Sequence, residues 1–300
     1  MKQIWFVTGT TSGVGCFLVR RLLAEGRQVA ATSRSREKLE QLFGPESGQF
    51  LPLSLPDLAD EGAVLAARDR VAEKFGGVDV VVNNAGYALC GAFEETSDRE
   101  ARDIFDVNFF GAVNVIRAFL PVMRRQRSGC FLNINSIAGI TCRPDGSMYN
   151  ATKFALDAVS RTVREETRHL GITSVSVNMA GIRSRFHANQ RYAALEIPDY
   201  APAKEVRKLR LGPSPGNPSR VVEMLLRLAE LEDPPANIVL GAGAYPRARA
   251  AYEEGLKNLA DWEAEGTAID NWAPGEEEAM EAFGTGTEGP ALAGEKGRKA

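Results

Sequence analysis

The sequence predicts an α/β fold built on a doubly wound, parallel sheet of the Rossmann type. Three observations predict it. Short apolar runs alternate with helical patterns over residues 3–178, which is typical of βαβ units. A glycine-rich loop joins the first apolar run to the first helical pattern. Small polar residues follow later apolar runs, at the strand ends where such sheets bind ligands.

The composition is that of a globular protein, with 300 residues, 44% hydrophobic and 25% charged. A net charge of −3 gives no field that would attract nucleic acid. No stretch approaches the ~20 apolar residues of a membrane span, and no charged leader suggests a signal peptide. With scattered cysteines and only two histidines, we expect no metal site and a cytoplasmic location.

The first predicted unit is a strand at residues 3–8, a loop from Gly9 to Gly15, and a helix that ends near Gly26. Glycines let the backbone approach a phosphate, and a helix N-terminus supplies free N–H groups. A glycine-rich turn without a ligand is the alternative, but the strand–helix context favours a nucleotide site. No GK[ST] sequence closes the loop, which argues against a P-loop.

The second predicted strand, residues 28–33, ends in Ser33-Arg34. NAD-binding units commonly place Asp or Glu there to hold the ribose hydroxyls. No carboxylate is present to repel a 2′-phosphate, and Arg34 could bind one in bidentate fashion. We therefore predict a preference for NADP(H) over NAD(H). The alternative is a solvated arginine that opens the next helix.

The middle of the chain predicts strands at 49–53 and 78–82 and helices at 60–75 and 97–126. The strand at 78–82 runs directly into Asn83-Asn84-Ala85-Gly86. Asn108 lies inside the long helix between apolar neighbours. Since a buried amide needs partners, Asn108 is either a satisfied core residue or a functional one.

A fifth strand at 130–136 ends in Ser136, and a helix at 149–169 begins with Tyr149. Tyr149 and Lys153 are four residues apart, so they share a helix face. A nearby positive charge would lower the pKa of the phenol and make the pair a proton donor and acceptor. An ordinary surface Tyr and Lys is the alternative.

A strand at 172–178 is followed by an irregular insert at 182–217, a helix at 218–231, a strand at 237–240 and a helix at 248–264. The insert is either a substrate lid or a mobile surface loop. We assign residues 1–265 to one nucleotide-binding catalytic domain and 266–300 to a flexible, glycine-rich tail.

Together these motifs resemble the short-chain dehydrogenase/reductase family. The resemblance rests on features in register over residues 3–185, and the C-terminal part is similar to a steroid- and retinol-dehydrogenase-like branch. The motifs are Thr8-Gly9-xxx-Gly13-x-Gly15, Asn83-Asn84-Ala85-Gly86, Asn108, Ser136 and Tyr149-xxx-Lys153.

The resemblance implies catalytic roles for four residues. Tyr149 would protonate the carbonyl oxygen, or take the alcohol proton in reverse. Lys153 would lower the pKa of the tyrosine and hold the nicotinamide ribose. Ser136 would bind the substrate oxygen, and Asn108 would hold a water that links Lys153 to solvent.

It also implies a nicotinamide cofactor bound along the sheet edge. Its predicted contacts, besides Ser33 and Arg34, come from the first loop, the Asn-Ala-Gly turn, the catalytic helix and the start of the insert. They are Gly9, Ser12, Gly13, Val14, Gly15, Asn84, Ala85, Gly86, Tyr149, Lys153, Ile182 and Ser184. Ala180 stands where the family usually has Pro, and Ser54 where it often has Asp.

We therefore predict an NADP(H)-dependent oxidoreductase that interconverts a carbonyl and a secondary alcohol on a bulky lipophilic substrate. The alternatives are an NADP-binding sensor without turnover, and an epimerase or dehydratase on the same scaffold. The family's habit of pairing through long helices such as 97–126 and 149–169 implies a homodimer or homotetramer.

Overall fold

The computed structural model describes residues 4–184, 186–211, 215–273 and 275–276. Its main feature is a seven-stranded sheet in which every pairing is parallel. Two further short strands, β5 and β8 below, pair with each other outside it. The strands are β1 Ile4–Val7, β2 Gln28–Ser33, β3 Phe50–Ser54, β4 Val80–Asn83, β5 Leu89–Cys90, β6 Gly129–Ser136, β7 Ile172–Met179, β8 Arg191–Tyr192 and β9 Asn237–Leu240.

The sheet order is β3-β2-β1-β4-β6-β7-β9. The order reverses between β1 and β4, and a doubly wound sheet binds ligands at the carboxyl ends of the strands beside such a reversal. The predicted Rossmann-type α/β fold is confirmed. The glycine-rich loop and the Asn-Asn-Ala-Gly turn follow the two strands that flank the reversal.

Helices cover both faces of the sheet. Along β1, Trp5 faces a layer with Leu18 and Leu225, and Phe6 faces the opposite layer with Phe119, because successive side chains of a strand alternate in direction. The helices are α1 Gly13–Ala24, α2 Arg36–Phe43, α3 Glu61–Phe75, α4 Asp98–Phe105, α5 Gly111–Gln126, α6 Ser147–Thr167, α7 Ala201–Leu211, α8 Pro218–Glu230 and α9 Tyr245–Thr267.

The predicted helix 97–126 is interrupted by a π-helical segment, Asp106–Phe110, between α4 and α5. A capping box closes the N-terminus of α4: Ser97 Oγ accepts from the Glu100 N–H, and the Glu100 carboxylate accepts from the Ser97 N–H. The stretch Asp98–Gln126 is long and apolar enough to cross a membrane by length and composition, but half of its apolar window is buried in the fold. Packing of α5 in the core accounts for that apolar character.

The insert at 182–217 is more regular than predicted, since it contains β8 and α7; its residues 185 and 212–214 lie outside the described residues. The chain groups into two compact units, Met1–Ala251 and Tyr252–Ala300, and the first contains the whole sheet. In the predicted tail, residues 266–267 complete α9 and Ala268–Asp270 form a 3-10 turn. Residues 274 and 277–300 lie outside the described part of the chain.

Candidate active site

The loop between β1 and α1 uses glycine for two different reasons. Gly9 has a φ of +68°, and a Cβ there would lie 2.7 Å from Cα of Ala85, so no other residue fits without moving the β4 turn. Gly13 has a φ of +57°, and its nearest neighbour would be the Ser184 side chain at 3.5 Å. At Gly13 it is therefore the positive φ, and not crowding, that favours glycine.

Asn84 ties the loop after β1 to the turn after β4. Its Nδ2 donates to the carbonyl oxygens of Thr8 at 3.0 Å and Gly9 at 2.9 Å. Thr8 Oγ1 accepts from the N–H groups of Asn84 and Ala85 at 3.0 and 3.1 Å. The Asn84 Nδ2 and both of these N–H groups are thus engaged within the protein, and a ribose contact from Asn84 would use its Oδ1 or its carbonyl oxygen. Thr8 belongs to the glycine motif in the sequence, but its hydrogen bonds to the turn after β4 were not predicted.

The N-terminus of α1 has no side-chain cap. Ser12 occupies the N-cap position without a capping hydrogen bond, whereas α2, α3 and α4 each have one. The first N–H groups of α1 therefore lack a side-chain acceptor and carry the positive end of the helix dipole. This arrangement fits a pyrophosphate. The Val14 side chain is buried in the core, so only its backbone could contact that group.

The end of β2 presents one unpaired guanidinium. Arg36 pairs with Glu40 at 2.8 Å and Glu46 at 3.1 Å. Arg34 is exposed, and among the described residues no carboxylate pairs with it. Ser33 Oγ donates to the carbonyl two residues further on at 2.6 Å. Of the two arginines, Arg34 is the one that could receive a phosphate.

Asn108 lies in the π-helical segment and is 1% exposed. Its Oδ1 accepts from the Tyr87 N–H at 2.9 Å, and its Nδ2 donates to the Tyr87 carbonyl at 2.9 Å and to Thr152 Oγ1 at 3.3 Å. The amide is satisfied by the protein and fastens the segment after β4 to α6. A π-helical turn often marks a functional site, and the water relay assigned to Asn108 stays a prediction.

Ser136, Tyr149 and Lys153 lie together at the carboxyl end of β6. Tyr149 and Lys153 are each 6% exposed, and Lys153 Nζ is 5.9 Å from the centre of the Tyr149 ring. The ammonium donates to the Ile134 carbonyl at 3.1 Å. Ser136 Oγ accepts from the Ala138 N–H at 3.1 Å, which leaves its own proton available. The predicted adjacency of the phenol and the ammonium is present.

The pKa of the Tyr149 phenol shifts in the direction opposite to the prediction. Burial raises the pKa of Tyr149 above its usual value, and the groups that oppose this are the Ser136 hydroxyl and the charge of Arg143. Burial also lowers the pKa of Lys153 from 10.5 to about 8. The prediction that Lys153 lowers the tyrosine pKa was wrong here, because desolvation dominates a pair this deeply buried.

Arg143 is a site residue that the sequence did not reveal. It lies in the loop before α6, and its guanidinium carbon is 5.7 Å from the centre of the Tyr149 ring. On another side, the Phe186 ring centre is 6.2 Å from that of Tyr149. Neither Arg143 nor Phe186 belongs to a recognisable sequence motif, so their proximity to the phenol is seen only in the three-dimensional structure.

The insert begins over the glycine-rich loop. The Ser184 side chain faces Gly13, and its Oγ accepts from the Phe186 N–H at 3.3 Å. Ile182 forms a parallel bridge with Gly216. The predicted nicotinamide contacts, Ile182 and Ser184, therefore lie between the glycine loop and the base of the insert.

A buried carboxylate fastens the insert to the segment after β5. Glu95, 2% exposed, accepts from the Ile197 and Ala92 N–H groups at 2.7 and 2.9 Å and pairs with Lys204 at 2.8 Å. Hydrogen bonds from these backbone groups and from Lys204 lower the pKa of Glu95 to about 2. The carboxylate is therefore charged at any physiological pH and holds this part of the insert, including α7, in place.

The Ala180 departure has a visible consequence. The Ala180 N–H donates to the Leu240 carbonyl of β9 at 3.1 Å, a hydrogen bond that proline could not make. Ser54 Oγ lies 3.4 Å from the Arg34 carbonyl, so it contacts the backbone of the arginine predicted to bind the ribose phosphate.

Comparisons with known proteins agree with this geometry. The sequence model described as short chain dehydrogenase matches residues 3–194. Oxidoreductase BOA17 of Botryotinia fuckeliana is 32% identical over 84% of this chain and 94% of its own length. The 3-ketodihydrosphingosine reductase of Bacteroides thetaiotaomicron is 31% identical over 66% of this chain and 72% of its own. The structure of a short-chain dehydrogenase from Streptomyces avermitilis has 31% identity and a TM-score of 0.81, covering 89% and 99% of the two chains.

Proposed function

The chain belongs to the short-chain dehydrogenase family, and on this basis we propose that it is an NADP(H)-dependent oxidoreductase that interconverts a carbonyl and a secondary alcohol. The observation that carries the proposal is the placement of Tyr149 and Lys153, both buried, beside Ser136 at the carboxyl end of β6. A phenol held in this way is a general acid and base for a substrate oxygen.

The chemistry assigns a step to each side chain. A bound nicotinamide supplies or accepts the hydride. Tyr149 gives its hydroxyl proton to the carbonyl oxygen in reduction and takes the alcohol proton in oxidation. Ser136 donates to the same oxygen and orients it. Lys153, with a pKa of about 8, holds a proton that can return to the phenol near neutral pH.

The apolar side of the site supports a bulky lipophilic substrate. Tyr149 packs in a cluster with Leu89, Met148 and Phe186, on the side of the insert. The relative named a 3-ketodihydrosphingosine reductase supports the same substrate character. We infer that the substrate enters between this cluster and the insert.

Replacing Tyr149 with Phe tests the catalytic assignment. We expect Tyr149→Phe to reduce the turnover of ketones by about a thousandfold or more, because it removes the proton that general acid catalysis needs. NADPH binding, followed by fluorescence, should be retained. Tyr245→Phe, an exposed tyrosine, is the control. Turnover that survives in Tyr149→Phe would refute the assignment, and turnover without net NADPH consumption would indicate an epimerase or dehydratase.

The NADP(H) preference rests on Arg34 and on the lack of a carboxylate at the end of β2. We expect Arg34→Ala to weaken NADPH binding about ten- to a hundredfold, the range for hydrogen bonds to a charged group, and to leave NADH binding unchanged. Arg36→Ala is the matched control, since Arg36 is already paired with two glutamates. Equal losses for both cofactors in Arg34→Ala would contradict the preference.

We also propose a homodimer or homotetramer in the cytoplasm. Phe110 and Phe154, on the two long helical stretches, are 47% and 42% exposed, and large aromatic side chains favour burial in an interface. Light scattering coupled to size exclusion measures the assembly, and Phe154→Glu is expected to shift it toward the monomer. Cell fractionation tests the location.

A further inference from the structure

The loop before α6 places a positive charge beside the catalytic tyrosine. The guanidinium carbon of Arg143 is 5.7 Å from the centre of the Tyr149 ring, and Nη2 lies 3.9 Å from Sγ of Cys90. The charge acts on the phenol, since it is among the groups that lower the pKa of Tyr149. Arg143 therefore faces the reaction site.

The charge of Arg143 has no counter-ion in the described part of the chain. Its Nη1 is buried and makes no hydrogen bond, and no carboxylate there lies within ion-pair distance. Arg27, which is 5% exposed, shows the usual arrangement for a buried arginine, because it pairs with Glu25 at 3.0 Å and Glu230 at 3.1 Å. A buried donor without an acceptor is costly, so Arg143 is placed to receive an acceptor that the described residues do not supply.

The backbone makes room for this guanidinium. A Cβ on Gly146 would lie 3.1 Å from both the guanidinium carbon and Nη2 of Arg143. The φ of Gly146 is −178°, which any residue can adopt, so free space and not backbone conformation is what glycine provides there. The Asn150 side chain also donates to the Arg143 carbonyl at 3.0 Å, which anchors the loop to α6.

We propose that Arg143 binds a carboxylate of the substrate while Tyr149 and Ser136 bind the reacting oxygen. The inference rests on the proposed function and narrows its substrate to an amphiphilic oxo or hydroxy acid. The apolar part of such a molecule fits against Leu89, Met148 and Phe186. The unpartnered Nη1 of Arg143 can donate a charge-assisted hydrogen bond to a carboxylate oxygen.

Straight-chain oxo acids and their methyl esters test the inference. NADPH oxidation is followed with 4-oxodecanoate, 5-oxodecanoate and 6-oxodecanoate and with each methyl ester, for wild type, Arg143→Gln and Arg143→Lys. For at least one chain position, we expect the wild-type kcat/KM to favour the acid over the ester about ten- to a hundredfold. The ratio should fall to about one in Arg143→Gln and be intermediate in Arg143→Lys, which keeps the charge but not the planar fork.

The acid-to-ester ratio of kcat/KM separates recognition of the carboxylate from the effect of the substitution on the Tyr149 phenol. Arg143 also influences the phenol, but the substitution changes the free enzyme in the same way for both substrates, so the ratio reports what the substrate carboxylate gains from Arg143. Arg220→Gln, an exposed arginine on α8, is the control and should keep the wild-type ratio. Gly146→Ala should lower the preference without removing a charge, because the added methyl group displaces the guanidinium.

Two results would overturn the inference. One is a wild-type enzyme that treats acid and ester alike at every chain position. The other is an acid preference that persists in Arg143→Gln. If no carbonyl compound is reduced, the proposed function fails, and calorimetric titration of 5-oxodecanoate with saturating NADP⁺ then decides on Arg143 alone: binding about tenfold or more weaker in Arg143→Gln than in wild type supports it, and equal binding refutes it.

Discussion

Replacing Lys153 with methionine should stabilise the protein at neutral pH while it abolishes turnover. Lys153 is 6% exposed, and burial lowers its pKa from 10.5 to about 8. Below pH 8 the folded state therefore holds a buried ammonium that the unfolded state keeps in water. Methionine has a similar length and no charge, so Lys153→Met removes that cost.

The magnitude follows from the pKa values. One unit of pKa is worth about 1.4 kcal/mol, so the fall from 10.5 to about 8 corresponds to about 3 kcal/mol. Because the unfolded lysine binds the proton more tightly, the stability of the wild type rises between about pH 8 and about pH 10.5. The lost hydrogen bond to Ile134 costs about 1 kcal/mol at every pH. Lys153→Met should thus be about 2 kcal/mol more stable than the wild type at pH 7 and slightly less stable at pH 10.5.

Urea unfolding of the nucleotide-free protein, followed by the fluorescence of its tryptophans at a series of pH values, measures both free energies. The difference between Lys153→Met and wild type isolates this one group from the other groups that titrate in the same range. Lys38→Met, at an exposed position on α2, is the control and should give a constant difference. A constant difference for Lys153→Met as well would refute the lowered pKa and the proton-holding role proposed for the lysine.

Three further substitutions test the elements that hold the site. Glu95→Gln should lower the free energy of unfolding by about 2 kcal/mol above pH 5; since the folded carboxyl has a pKa of about 2, urea titrations should show the difference vanishing as the pH falls from 4.5 toward 2. Gly15→Ala places a Cβ 2.5 Å from Asn84 Nδ2 and should weaken NADPH binding about tenfold by calorimetry, whereas Gly255→Ala, which meets nothing within 4 Å, should not. Asn133→Ala breaks three buried side-chain hydrogen bonds and should cost about 3 kcal/mol in urea unfolding; an unchanged midpoint would contradict the importance of that network.

The sheet could be predicted because its signals are local. The central strands β1 and β4 begin as short apolar runs, and turns follow them closely at Gly9 and Asn84. The glycines at 9, 13 and 15 also mark the loop after β1 directly in the sequence. Gly9 and Gly13 have positive φ values, and Gly15 lies against Asn84. A chain of alternating strands and helices with right-handed crossovers has few possible topologies, so the fold class follows.

The insert could not be predicted in the same detail, because distant contacts determine it. The helix α7 is held by Lys204, whose partner Glu95 lies on the segment after β5. β8 exists because it pairs with β5 about a hundred residues earlier in the chain. Neither the π-helical turn at Asp106–Phe110 nor these pairings leave a periodic pattern in the sequence.

The Tyr149–Lys153 pair shows where spacing stops being informative. Four residues on a helix fix the adjacency of the two side chains. The direction of their pKa shifts depends on how far each is buried, and burial depends on β6, the insert and the loop before α6. The four-residue spacing therefore predicted the adjacency of the two side chains correctly. The direction of the phenol's pKa shift, which was inferred from the lysine charge alone, was predicted incorrectly.

The loop before α6 supplies a charge at the phenol that the helix spacing does not reveal. Arg143 opposes the desolvation of Tyr149, and its buried Nη1 lacks a partner. A substrate carboxylate on this guanidinium would offset its charge, and the phenol would then keep its proton more firmly. A protonated phenol is the form that reduction requires, since the carbonyl oxygen must receive that proton. Burial already keeps this phenol protonated at neutral pH, so an anionic substrate would gain from Arg143 through binding and not through a larger protonated fraction of Tyr149.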